Sequence, residues 1–134
     1  MTSSEQLMTF YRGALDVNEG WGPFDYVEPE TGPQTYGEII LFRAGGSGQG
    51  TLLVGLWRVT EPSTSPMYTS QLGDETFLVL EGEVSIDVLD TGEKLEFGPG
   101  QVGSWSKGTR TVWTIKSPFK KLFVVAHEQP MPAL

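Results

Sequence analysis

The sequence predicts an all-β fold, a sandwich or barrel. Roughly eight short runs rich in β-favouring residues cross the chain, with turn residues about every eight to twelve positions. Almost no stretch carries a helical period, and no repeat of solenoid length is present. Chain length agrees: 134 residues suit one domain with a core of its own.

From the N-terminus, Ser4 to Tyr11 can form a short helical turn capped by Ser3 or Ser4. The segment Trp21-Gly22-Pro23-Phe24-Asp25-Tyr26 is aromatic and turn-rich, and Pro29 to Pro33 is a loop. Residues 1–35 are therefore expected to form an N-terminal arm with a strand. Tyr36 to Arg43 is the first firm strand. Gly45 to Gly50 superficially resembles a phosphate-cradling loop. It lacks the Lys-Ser/Thr ending, and a strand rather than a helix follows, so a hairpin loop is expected instead.

Thr51 to Val59 is the second strand, Glu61 to Pro66 a loop, and Met67 to Gln71 a short extended piece. Glu75 to Leu80 comes next. Its apolar run, Phe77-Leu78-Val79-Leu80, suits a strand buried on both faces. Gly82 then offers a connection that a Cβ would resist. Val84 to Leu89 alternates and turns at Asp90-Thr91-Gly92. Lys94 to Phe97, Val102 to Trp105, Thr109 to Lys116 and Lys121 to His127 complete the strands. Residues 128–134, rich in proline, form a tail.

Composition excludes several function classes. The net charge is −8, which repels phosphate backbones, so nucleic acid is not an expected partner. No apolar run is long enough for a bilayer, and the N-terminus does not read as a secretion signal, so no membrane partner is expected. The chain has no cysteine, which rules out disulfides and thiolate metal sites and makes the cytoplasm the default location.

Glu75 is the residue that calls for explanation. A carboxylate at the head of a buried strand is costly unless it is paired, coordinated or solvated in a cavity. Six residues separate it from Gly82. That spacing resembles the first motif of the cupins, and Gly98-Pro99-Gly100 followed by Ser106-Lys107-Gly108 resembles the second. Thr109-Arg110-Thr111-Val112-Trp113 is similar to the ending of one cupin subgroup, which includes ureidoglycine aminohydrolase-like and ethanolamine-utilisation cupins. The resemblance covers residues 36–127 and implies a double-stranded β-helix, or jelly-roll barrel, that pairs as a homodimer with the N-terminal arm as a candidate for exchange.

The cupin metal positions are not filled by histidine. They fall at Tyr68 and Ser70, or Thr69 and Gln71, and at Thr111. The one histidine of the chain, His127, lies at the end of the last strand and is not an expected catalyst. A transition metal prefers several imidazoles, so no metal and no other cofactor is expected.

Glu75 could bind a ligand, transfer protons, or bond internally to Tyr68, Thr111 or Arg58. On the binding reading, Tyr68, Ser70, Glu75, Thr111 and Trp113 are the ligand-binding candidates. Trp57 and Trp113 have core packing as the competing role, and Arg58 and Arg110 have salt bridges. Asp74 cannot act with Glu75, because neighbouring strand residues face opposite ways. The expected function is binding of a small polar metabolite in the barrel without a tightly held metal. The alternatives are a small-molecule enzyme of the ureidoglycine aminohydrolase type and a barrel filled by side chains. Glu75→Gln is expected to leave folding largely intact, and a large loss of thermal stability would favour the internal role instead.

Overall fold

The computed structural model describes residues 11–47 and 50–127. The expected helical turn at Ser4 to Tyr11 and the tail at 128–134 therefore lie outside the described residues, apart from Tyr11. Among the described residues there are eleven strands, and no helix is long and apolar enough to cross a membrane.

The strands are β1 (Gly22–Glu28), β2 (Gly32–Ser47), β3 (Gly50–Val59), β4 (Ser63–Thr64), β5 (Tyr68–Thr69), β6 (Asp74–Glu81), β7 (Val84–Val88), β8 (Glu93–Phe97), β9 (Val102–Trp105), β10 (Arg110–Ile115) and β11 (Phe119–His127). One sheet has the order β1-β2-β3-β11-β6-β9, and the other β4-β10-β7-β8, with β5 also paired to β10. Every pairing is antiparallel. The inner faces are built by alternation along each strand, as a sandwich core requires. Phe77 and Val79 from β6, Trp57 and Val59 from β3, and Phe119 and Phe123 from β11 meet Val84, Ile86, Trp113 and Ile115 of the smaller sheet. This is an all-β jelly roll.

Several boundaries differ from the expectation. Within residues 1–35 the strand is Gly22 to Glu28, in a stretch whose residues read as turn-rich, with Phe24 and Tyr26 pointing inward while Asp25 and Val27 stay exposed. Pro23 is tolerated there because β1 is an edge strand. Strand β2 is far longer than Tyr36 to Arg43 and continues into the glycine run, where Gly46 pairs with Thr51 and Ser47 with Gly50. The expected hairpin loop is thus mostly ladder. Ser63–Thr64 is a short strand inside the expected loop. Strand β6 is not equally buried on both faces: Glu75, Phe77 and Val79 are buried, whereas Leu78 and Leu80 are half-buried on the outer side.

Residues 11–21 lie on that outer side and on the edge of the larger sheet. Phe42 packs its ring where a Cβ of Gly13 would stand. The Lys120 ammonium donates to the Leu15 carbonyl at 2.7 Å, and the Arg58 guanidinium sits 4.1 Å over the Trp21 ring.

Candidate functional site

Between the sheets lies a cavity of about 520 Å³. Strand alternation aims its lining. On β3 Trp57 points inward, on β6 Glu75, on β10 Trp113, and on β11 Lys121. Strand β1 adds Phe24 and Tyr26, and β5 adds Tyr68.

Glu75 and Lys121 form the polar centre. The Lys121 Nζ donates to the Glu75 Oε2 at 2.6 Å. Both residues are buried, at 3% and 7% exposure. The ammonium also lies over ring faces, 4.4 Å from the centroid of Trp113, 5.0 Å from Phe77 and 5.1 Å from Trp57. Such contacts attract a cation through the ring quadrupole, by about 0.5–1 kcal/mol when exposed and about 2 kcal/mol or more when desolvated. The internal partner of Glu75 is therefore Lys121, not Tyr68, Thr111 or Arg58. The charge that looked awkward at the head of β6 is neutralised inside the barrel.

Of the five expected ligand-binding residues, Tyr68, Glu75 and Trp113 line the cavity. Ser70 and Thr111 do not. Ser70 is buried, and its hydroxyl donates to the Gly73 carbonyl at 3.1 Å, which ties the turn between β5 and β6. Thr111 is wholly buried and accepts the Trp113 indole N–H at 2.9 Å. Arg58 pairs with Glu38 at 2.9 Å, and Arg110 with Asp90 at 3.0 Å, both away from the cavity. Asp74 faces outward and accepts the Lys107 backbone N–H at 2.8 Å. His127 sits beside Thr51 at the end of β11, outside the cavity lining.

Sequence reasoning missed two residues. Lys121 shares its inward parity with Phe119, Phe123 and Val125, and a lysine on an apolar face is a legible signal. Glu28 is 1% exposed and closes the inner face of β1. Its carboxylate accepts the Thr69 N–H at 2.6 Å and the Thr69 hydroxyl at 2.8 Å, fastening the edge strand across to β5.

The donor set does not fit a cupin metal. The cupin resemblance implies histidines with a glutamate, whereas these positions hold Tyr68 and Ser70, or Thr69 and Gln71, and Thr111, and all but Tyr68 are spent on internal bonds. Among the described residues no group of three or more His, Cys, Asp or Glu is placed to hold a metal ion. An ammonium already sits against the Glu75 carboxylate.

The tyrosines carry a pH signature. Burial raises the Tyr68 phenol well above its ordinary value of 10.0, and the nearby Glu75, Tyr26 and Glu28 raise it further. Burial, then Glu28 and Tyr36, push Tyr26 up to about 12. Both phenols hold their protons more tightly folded than unfolded. Their contribution is complete below about pH 10 and is lost as the pH rises toward the folded values. Alkaline unfolding, followed by tryptophan emission, is expected to set in between about pH 10 and 12. Tyr68→Phe should move its midpoint upward; an unchanged midpoint would show that this phenol is not what titrates.

Solved structures share the architecture. A putative ethanolamine utilization protein Q from Salmonella typhimurium LT2 superposes with a TM-score of 0.58 at 15% identity, covering 87% of this chain and 100% of that one. The EutQ protein of Clostridium difficile gives 0.53 at 18% identity, covering 69% and 70%. The polyketide cyclase RemF of Streptomyces resistomycificus gives 0.57 at 18% identity, covering 71% and 68%. At these identities the likeness is one of fold. No curated protein matches the sequence. The profile of the EutQ-like cupin domain does match, over residues 46–123, more than half of the chain. The chain therefore belongs to the EutQ-like cupin domain family.

Proposed function

We propose that this cupin binds a small organic molecule in its barrel and does so without a resident transition metal. The observation that carries the reading is the Lys121–Glu75 pair at 2.6 Å. The ammonium supplies, at the family's glutamate, the positive charge that a metal supplies elsewhere. A cavity of about 520 Å³ falls within the size of ordinary small-molecule sites. That space argues against a barrel merely filled by side chains.

A homodimer belongs to the same proposal. Its supports are the family resemblance and an apolar row across the outer face of the larger sheet. Leu122 pairs with Leu78, and Leu78 with Val102, which is 60% exposed at the edge, whereas the neighbouring Leu56 is already fully buried within the chain. The net charge of −8 supports leaving nucleic acid out of the partners. A cytoplasmic location and the absence of a membrane partner rest on composition alone.

Native mass spectrometry of protein grown with added manganese, iron, nickel and zinc reads both parts at once. The expected species is a dimer with no metal adduct. A stoichiometric metal sinks the metal-free reading, and a monomer at micromolar concentration sinks the dimer.

A further inference from the structure

We infer that the cavity takes a flat, uncharged aromatic molecule bearing one or two oxygen atoms, rather than a polyol or an ion. The inference rests on the cavity being a ligand site. It comes from an account of which polar groups lining the cavity are still unspent.

Most are committed to the protein. The Tyr26 hydroxyl donates to the Met67 carbonyl at 3.2 Å, and the Gln71 amide donates to the Val27 carbonyl at 2.8 Å. Tyr36 shares a hydrogen bond with Ser63. The Ser65 hydroxyl donates to the Pro66 carbonyl at 2.7 Å and accepts the Trp113 backbone N–H at 2.9 Å. Two groups remain. The Tyr68 hydroxyl bonds to no other described residue. The Glu75–Lys121 pair uses one oxygen of the carboxylate and one N–H of the ammonium on itself. A sugar-like ligand would bury several hydroxyls against this wall with nothing to meet them, and each such group costs about 1–3 kcal/mol. An ionic ligand would find a floor whose two charges already cancel.

Much of the remaining lining is aromatic, with aliphatic side chains such as Ile39, Leu53 and Leu72 between the rings. Phe24 and Tyr26 stack at 5.3 Å with their planes 25° apart, and Tyr68 stands edge-on to Tyr26 at 5.1 Å. From the core side Trp57 and Trp113 close the space, 5.5 Å apart. Ring faces and edges at these spacings favour a planar guest by offset or edge contact. The volume suits a skeleton of about two or three fused rings. Tyr68 and Lys121 can donate to a ligand oxygen, and Glu75 can accept from a ligand hydroxyl.

Isothermal titration of the full chain tests this with three probes at pH 7: 2-naphthol, decahydro-2-naphthol and glucose. The first two share a skeleton and a hydroxyl but differ in flatness. We expect 2-naphthol to bind at least tenfold more tightly than its saturated counterpart, with no heat from glucose. Tyr68→Phe should weaken 2-naphthol about three- to tenfold. Equal binding of the two naphthol skeletons overturns the requirement for a plane. An unchanged affinity in Tyr68→Phe overturns the assigned hydroxyl. Binding of glucose with silence from 2-naphthol sinks the aromatic assignment and leaves the metal-free binding site standing. Silence from all three probes also sinks the aromatic assignment, and a stoichiometric metal in the mass spectrum then takes the metal-free reading with it.

Discussion

Lys121→Met is expected to cost about 3–5 kcal/mol of folding stability. The methionine fills most of the volume and keeps apolar packing against Trp57, Phe77 and Trp113, but loses the cation–ring attraction. What it removes is the countercharge of Glu75, which is 3% exposed. A buried carboxylate left unpaired carries its desolvation penalty alone. The same logic orders the other variants. Glu75→Gln keeps an acceptor for the ammonium but strips its countercharge, so about 1–3 kcal/mol is expected. The sequence alone, which places Glu75 at a pocket, leads one to expect folding largely intact; the Lys121 pair is the reason for the larger figure. Lys121→Met combined with Glu75→Leu should recover most of the loss, since apolar groups can replace a buried pair at little net cost. Urea unfolding followed by tryptophan emission measures all of these. A loss under about 1 kcal/mol for Lys121→Met would mean that cavity water solvates Glu75 adequately, and the pair would no longer stand in for a metal.

The jelly roll was legible because its signals are local. Alternation in Val84 to Val88 and Arg110 to Ile115, and turns at Asp90-Thr91-Gly92 and Gly98-Pro99-Gly100, can be read without knowing what pairs with what. Glu75 was legible for a different reason: a carboxylate leading an apolar run is anomalous by itself. The position of β1 within the expected arm was not, since Gly22 and Pro23 read as turn residues, and pairing with the start of β2 holds them extended. Lys121 stayed hidden beside Lys120, where two adjacent lysines look like a solvated pair. Only one of them faces outward: Lys120 reaches Glu81 at the surface, at 2.7 Å, while Lys121 turns inward. Ser70 and Thr111 occupy motif positions, but a motif position does not say where a hydroxyl's bond goes. Thr111 lies on the same face of β10 as Trp113, two residues away, and the indole takes its oxygen before any ligand could.

Gly82→Ala is expected to destabilise the fold by about 3 kcal/mol or more, for two separable reasons. Gly82 has φ of +82°, where a Cβ costs about 1–2 kcal/mol. A Cβ there would also stand 2.2 Å from the Pro118 carbonyl oxygen and 2.9 Å from the Phe119 Cα. Those are backbone atoms and cannot swing aside. The contact is tight because two connections between the sheets cross at this point. Gly82 carries the chain from β6 to β7, and Ser117-Pro118 carries it from β10 to β11. They are bonded to each other: the Ser117 hydroxyl accepts the Glu83 N–H at 3.0 Å, and the Lys116 N–H donates to the Glu83 carbonyl at 2.9 Å. Glu75 and Lys121 sit on the two strands, β6 and β11, that meet this crossing, and a crossing this close is expected to help hold their register. Gly92→Ala isolates the first cause. Gly92 has φ of +76° and nothing within 4 Å of where the new methyl would stand, so only the backbone penalty of about 1–2 kcal/mol applies. Urea unfolding of both variants measures the difference. Should Gly82→Ala cost no more than Gly92→Ala, Pro118 can withdraw freely, and the crossing is not what holds β6 and β11 in register.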